Sequence, residues 1–289
     1  MTIGLFANLR KPEVREILLQ LMNWLEDHGV SIVVREELFQ FLKGAAKAAA
    51  VLPDDQFAAK SDVAVALGGD GTILALARLI GRSRTPIFGV NLGGLGFLAE
   101  VSVDELIPSM EKVLSGKYSI EKRMVLEGVL SKPVGTDVFH AMNDIVVDRG
   151  ACPRVLKIGV TVDSVYFNTY YSDGIILSTP TGSTAYSLAA SGPILVPSVE
   201  SIVLNPICPH TLTARPTVIS ADSVVELEVE PAESEAVLSV DGQTYAHLST
   251  KSQVMIKKGD YDIHLIVFQD HNFFDLLRKK LQWGSLPRK

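Results

Sequence analysis

The stretch SDVAVALGGDG, residues 61–71, constrains the fold more than any other part of the chain. From Val63 to Leu67 small and β-branched apolar residues run without a polar interruption, so neither side of the segment can face water. Such a strand belongs to a parallel sheet covered by helices on both faces, and the abrupt glycines mark a tight turn at its carboxyl end. The neighbouring segments agree. TIGLFA is a short apolar strand; Val14, Ile17, Leu18, Leu21 and Leu25 form one helical stripe that ends before Gly29; and VSIVVRE reads as a second strand. After the glycine turn come a helix in TILALARLIG, a strand and turn in PIFGVNLGG, and a further helix in VDELIPSMEKVLSG. Residues 41–60 are alanine-rich and fit either a helix or a lid-like connection. This alternation predicts a three-layer, Rossmann-like α/β domain over residues 1–118.

Beyond Tyr118 the period changes from helical to two. In RVLKIGVTVD, Leu156, Ile158, Val160 and Val162 face one way while Lys157, Thr161 and Asp163 face the other, and VVELEVE alternates in the same manner. Residues 119–264 are expected to form a predominantly β domain. The closing YDIHLIVFQDHNFFDLLRKKLQWGSLPRK reads as a strand, an amphipathic helix and a basic tail, so residues 265–289 are expected to return to the first domain.

The 289 residues carry a formal charge of −6, and Thr217–Thr250 holds seven acids with no Lys or Arg, which argues against a nucleic-acid partner. No apolar run reaches the roughly 18 residues of a membrane span, and the opening lacks the pattern of a signal peptide. The expectation is a cytoplasmic protein without membrane association. Cys152 and Cys208 are far apart and form no CxxC, so neither a zinc knuckle nor a redox pair is indicated, and His210 beside Cys208 reads as a packed or hydrogen-bonded histidine.

Chemistry concentrates at Gly68, Gly69, Asp70, Gly71 and Thr72, at the end of a parallel strand where open α/β sheets bind ligands. Glycines let the backbone approach phosphate oxygens, and the following helix adds the positive end of its dipole. The spacing is neither GxGxxG nor GxxxxGK[ST]. Asp70 has two readings on local grounds: a carboxylate that orients and finally accepts the proton of an attacking hydroxyl, or a turn residue capping the next helix through the Thr72 N–H. The pair Asn143–Asp144 suits an adenine edge and a ribose hydroxyl, or an Asx turn before the next strand. Downstream, Pro180 and Gly182 shape a turn, and Ser183 or Thr184 can cap the short helix that stops before Gly192. Tyr186 offers a flat face and a polar tip, for a base or for the core. Asp148 and Arg149 read as ordinary turn charges.

Taken together, GGDGT, NLGGLGFLAE, AMNDIVV, YYSDGIILSTPTGSTAYSLAASGP, HTLTARP and SVDGQ resemble the NAD kinase family over nearly the entire chain. The resemblance implies phosphoryl transfer from ATP, or from polyphosphate in some members, to the adenosine-ribose 2′-hydroxyl of NAD, giving NADP. It places Asp70 as the catalytic residue and Gly71, Asn143, Asp144, Arg154, Asp173, Thr184, Ala185, Tyr186, Ser187, Leu188, Ala189 and Gln243 in nucleotide contacts. Two departures stand out: Asp144 occupies a position usually held by Glu, and Tyr171 one often held by Lys or Arg. It further implies a homodimer or homotetramer, and NAD held between the two domains. A divalent cation, Mg²⁺ by preference, is expected on the donor phosphates with no dedicated protein ligand set. The competing readings are a lipid or sphingoid kinase sharing the glycine turn, and a dinucleotide sensor without catalysis.

Overall fold

The computed structural model describes residues 1–44, 49–94, 96–99, 101–132, 134–230, 236–248, 252–269 and 272–283. The chain divides into two units, Met1–Lys122 with Ile263–Lys289, and Arg123–Asp262.

In the first unit β1 (Thr2–Ala7), α1 (Val14–Asp27), β2 (Ser31–Val34), α2 (Glu36–Phe41), β3 (Ala50–Val51), α3 (Asp54–Lys60), β4 (Val63–Gly68), α4 (Asp70–Ile80), β5 (Ile87–Asn91), β6 (Val101–Ser102) and α5 (Leu106–Leu114) follow one another. The strands pair in the order β5-β4-β1-β2-β3, all parallel, with Ile3 opposite Val63 and Ala64 opposite Ile87. Every residue of β4 is buried, as its unbroken apolar sequence requires. Val63, Val65 and Leu67 pack with Val14, Leu18, Leu21 and Leu25 of α1 and Met110 of α5 in one core. On the other face the backbone comes close: a Cβ at Gly4 would collide with Ser61 and Phe57, and one at Gly89 with Ile73 of α4. The segment 41–60 resolves into the end of α2, the short β3 and α3, with residues 45–48 outside the described residues.

The second unit is built from β7 (Ser119–Ser131), which begins in the first unit, and then β8 (Thr136–Ala141), β9 (Asp144–Asp148), β10 (Leu156–Val162), β11 (Val165–Ser172), β12 (Gly174–Ser178), α6 (Tyr186–Ala189), β13 (Ser201–Ile207), β14 (Thr217–Ser220), β15 (Val225–Glu230), β16 (Ala236–Val240), β17 (Gln243–Leu248) and β18 (Ser252–Val267). One antiparallel sheet runs β14-β13-β12-β9-β16-β17; β11, β10, β15 and the start of β18 pair antiparallel in another. Ile145, Val147, Ile175 and Leu177 from the first share one core with Ile158, Val160, Leu227 and Ile256 from the second.

The end of β18 returns to the first unit, where Leu265 pairs in parallel with Ile87 of β5, and α7 (Phe273–Leu281) follows with Leu276 and Leu277 buried. The basic residues Arg288 and Lys289, read as a tail, lie outside the described residues. The architecture is thus a Rossmann-like α/β unit, a β-rich unit and a C-terminal return.

Candidate active site

Asp70 sits at the first position of α4, after an extended Gly69 that serves as the N-cap without a side chain. Thr72 N–H donates to the Gly69 carbonyl at 2.9 Å, so the expected Asp70 cap on that amide does not form. The Asp70 carboxylate looks across the sheet instead. Its Oδ2 accepts the Phe97 N–H at 2.8 Å, and its Oδ1 accepts those of Leu98 at 2.9 Å and Ala99 at 3.3 Å. A carboxylate offers about four lone-pair sites, so these three bonds leave one acceptor position, on Oδ2. Gly96 makes the approach feasible, since a Cβ there would collide with the same carboxylate. Gly68 is fixed by packing against Thr72, whereas a Cβ on Gly69 or Gly71 would meet nothing within 4 Å. The backbone beside Asp70 is therefore open to a ligand.

In the second unit the organiser is Asp241, which sits at φ +47° in the tight turn between β16 and β17. Its carboxylate accepts the N–H groups of Met142 (3.1 Å), Asn143 (2.7 Å) and Asp144 (3.2 Å), and its own N–H donates to the Asp144 carbonyl at 3.0 Å. This external carboxylate replaces the Asx turn that the local sequence allowed. The turn after β12 closes on the same segment: Thr179 N–H donates to the Asn143 carbonyl, Thr179 Oγ1 to that of Met142, and a Cβ on Gly182 would strike Asn143 O.

Asp144 is consequently 3% exposed, and among the described residues its side chain takes no hydrogen bond. Burial first, and then the charge of Asp241, push its pKa from 3.8 up to about 7. Tyr186 is 46% exposed, and burial followed by the charges of Asp148, Cys208, Asp144 and Asp173 pushes its phenol up, so it remains a neutral donor. Asp173 is held by Arg149, whose Nε donates to Oδ1 at 2.8 Å and whose Nη1 reaches the Cys152 carbonyl. Arg149 is thus a partner of the site rather than an ordinary turn charge.

The remaining expected residues divide by exposure. Ser187 is fully buried, and Asn205 Nδ2 donates to its carbonyl at 3.0 Å and its hydroxyl at 3.3 Å. Thr184 Oγ1 donates back to the Thr181 carbonyl at 3.1 Å, and Ser183 Oγ donates to that of Pro180 at 2.6 Å, so neither caps α6. Ala185 and Leu188 are half-buried, Ala189 exposed. Arg154 is exposed on the loop after β9, and Gln243 is exposed at the start of β17, two residues from Asp241. Tyr171, on β11, is exposed as well.

Comparison with known proteins identifies this arrangement. Residues 3–118 match the ATP-NAD kinase N-terminal domain and residues 142–268 the ATP-NAD kinase C-terminal domain. An NAD kinase of Moorella thermoacetica is 42% identical over 288 residues, covering 98% of this chain and 90% of that protein. The chain belongs to the NAD kinase family. It is a phosphotransferase that moves a phosphoryl group from ATP to NAD and forms NADP. A second NAD kinase, from Caldanaerobacter subterraneus subsp. tengcongensis, is 44% identical over 283 residues, 96% of this chain and 98% of that one. Among solved structures, yeast NADH kinase complexed with NADH superposes with a TM-score of 0.93 at 26% identity, covering 100% of this chain and 89% of that chain. An NAD kinase from Archaeoglobus fulgidus in complex with ATP shares the fold, with a TM-score of 0.76 at 24% identity over 98% of this chain and 99% of that chain.

Within this NAD kinase family member, sequence reasoning gave no role to Asp241 or Arg149. The signal for Asp241 was available in SVDGQ, where an Asp-Gly turn follows a strand. Among the described residues no three His, Cys, Asp or Glu side chains converge to hold a metal ion, and Cys152 and Cys208 form no disulfide. No helix among them is long and apolar enough to cross a membrane.

Proposed function

We propose that the β-rich unit holds NAD through Asn143, Asp144, Asp173 and the Thr184–Ala189 segment, with Arg154 and Gln243 as further contacts, while the α/β unit supplies Asp70 as the proton acceptor and Gly71 as a nucleotide contact. The observation that carries this reading is the single remaining acceptor position on Asp70 Oδ2, beside glycines with nothing packed over them. One hydroxyl can bond there. As its oxygen attacks the terminal phosphorus of ATP, the bond from phosphorus to the bridging oxygen breaks, ADP leaves with the electron pair, and the hydroxyl proton passes to Asp70. The transition state is loose, so Asp70 orients first and accepts the proton late. Asp144, buried without a donor, receives a ribose hydroxyl, and Asn143 bonds a base or ribose edge.

Bound to the donor, a divalent cation, Mg²⁺ by preference, would supply positive charge against the transferring phosphoryl group, with no described residue assigned to hold it. The protein is taken to act in the cytoplasm, in keeping with Cys152 and Cys208 forming no disulfide among the described residues. Val165, Tyr166, Phe167 and Tyr171 are exposed together on β11, an apolar set that supports a homodimer or homotetramer.

The test supplies ATP labelled in its terminal phosphate, NAD and Mg²⁺, and locates the label on the product. The 2′ position is expected; label elsewhere, or none transferred, overturns the assignment. Asp70→Asn should lower kcat by about 10² to 10⁴ while leaving NAD binding within a few-fold, and equal losses in both would remove Asp70 from the proton-accepting role.

A further inference from the structure

We propose that Lys11 binds the phosphate chain of the donor. This deepens the kinase reading and concerns the half of the reaction that Asn143 and Asp144 do not serve. The side chains gathered in the second unit are poorly suited to phosphate. Asp144, Asp148, Asp173 and Asp241 are acids, and the Arg149 guanidinium among them is already bound to Asp173. Such carboxylates suit the hydroxyl and amine donors of a ribose and a base, not the terminal phosphates of the donor. The glycine turn after β4 also lacks the lysine of a GxxxxGK[ST] loop. Another loop of the first unit offers a cation for the donor.

Sheet topology shows which loop. β1 and β4 are neighbours, yet the chain leaves β1 toward β2 on one side and β4 toward β5 on the other. Connections that diverge in this way open a crevice at the carboxyl ends of the two strands. The loop after β1, residues 8–13, is fixed by Arg10 N–H donating to Asn8 Oδ1 at 3.1 Å and Lys11 N–H donating to the Asn8 carbonyl at 3.1 Å. It delivers the Lys11 ammonium to the glycine turn after β5, where Nζ lies 3.5 Å from the position a Cβ would take on Gly93. Asn91 holds that turn from both sides, accepting from Gly93 N–H at 2.9 Å and donating to the Gly94 carbonyl at 2.7 Å. Among the described residues nothing lies within 4 Å of a Cβ on Gly69, Gly71 or Gly94.

Lys11 is half-buried, and among the described residues no hydrogen bond or ion pair holds its ammonium. A half-buried cation with no acid on it among the described residues, at the Gly93 turn of the strand that pairs with β4, matches the chemistry of a phosphate chain approaching the attacking hydroxyl. The group it recognises is the polyphosphate portion, common to ATP and to inorganic polyphosphate.

The test compares wild type, Lys11→Met and Lys11→Arg in steady-state kinetics with ATP and NAD, and in inhibition by inorganic tripolyphosphate, with the thermal midpoint as a check on folding. A hydrogen bond to a charged group corresponds to roughly a 10- to 100-fold effect, so Lys11→Met should raise KM for ATP and weaken tripolyphosphate by about that factor. KM for NAD should stay within about two-fold, and Lys11→Arg should recover most of the loss. If Lys11→Met fails to fold, Lys11→Gln carries the same expectation. An unchanged ATP KM with unchanged tripolyphosphate inhibition, or a matching rise in KM for NAD, overturns the proposal. In the first case wild-type turnover of NAD leaves the kinase reading standing. Absence of wild-type turnover would remove that reading, and direct tripolyphosphate binding to wild type and Lys11→Met would still decide the role of Lys11.

Discussion

Replacing Asp144 by Asn should make the protein more stable and a poorer enzyme. In the folded chain the acid titrates at about 7, against 3.8 for a free side chain, because burial and the Asp241 charge disfavour the anion. A folded-state pKa above the unfolded value means that stability is fully present below about pH 4 and declines as pH rises through the folded pKa near 7. Each unit is worth 1.36 kcal/mol, so a separation of about three units sets a ceiling of about 4 kcal/mol on what the wild type has lost by about pH 8. Asn keeps the shape and the backbone bonds to Asp241, cannot ionise, and is spared the loss. Urea unfolding of both proteins across this range should give a stability difference near zero at about pH 4 that grows to a few kcal/mol in favour of Asp144→Asn above about pH 7.

The same titration governs the ligand. A ribose hydroxyl donating to Asp144 favours its anion, so NAD binding should release a proton at about pH 6 and none at about pH 8. Calorimetry in buffers of different ionisation enthalpy reads that proton directly, and Asp144→Asn should abolish its release together with most of the affinity. A stability difference independent of pH, or a wild type more stable than the variant at about pH 8, would refute the argument from burial.

Three further outcomes follow from the geometry. Gly96→Ala places a methyl against the Asp70 carboxylate, so kcat should fall at least 10-fold while a thermal scan shows a loss of only about 1–3 kcal/mol; an unchanged kcat would mean that the carboxylate need not be held by Phe97–Ala99. Asp241→Asn removes the like charge beside Asp144 and puts an amide N–H₂ where three backbone N–H groups need acceptors, so KM for NAD should rise and the pH midpoint of NAD binding should move down, both read from initial rates against pH. Chelation of divalent cations should stop turnover without moving the thermal midpoint by more than about 1 °C, whereas a large drop in that midpoint would place a structural metal in the fold.

What the sequence made legible was whatever repeats over short distances. The apolar run of β4 demanded a doubly covered parallel strand, and the alternation in β10 and β15 appears as buried and exposed residues in turn. Helix α2 escaped because EELFQF is short and buries only Leu38, too little to mark a stripe. At the site, the residues that bear chemistry were visible while those that hold them were not. The amides that hold Asp70 lie 27 to 29 residues along the chain, those taken by Asp241 lie 97 to 99 residues back, and Arg149 reaches Asp173 across 24. Ser183 was a reasonable cap by local pattern, but its hydroxyl donates to Pro180 O and accepts from Leu195 N–H, a partner set fixed by tertiary packing.

The two aspartates at the centre of the argument are treated in opposite ways, and the difference follows from what each must do. In the proposed role Asp70 must keep its place while charge moves, and among the described residues three N–H groups hold its carboxylate and leave one acceptor position open. Asp144 receives no donor from the described residues and faces a second carboxylate, so its charge is unfavourable until a ligand contributes the missing hydrogen bond. A ligand without that donor leaves a buried acceptor unpaired, which costs more than the absent bond would have contributed. On the proposed roles, stability is given up at Asp144 for a contact that only a ligand with a donor completes, while at Asp70 the demand is geometric. Exchanging the two environments would leave the same residue types in the chain with neither task performed.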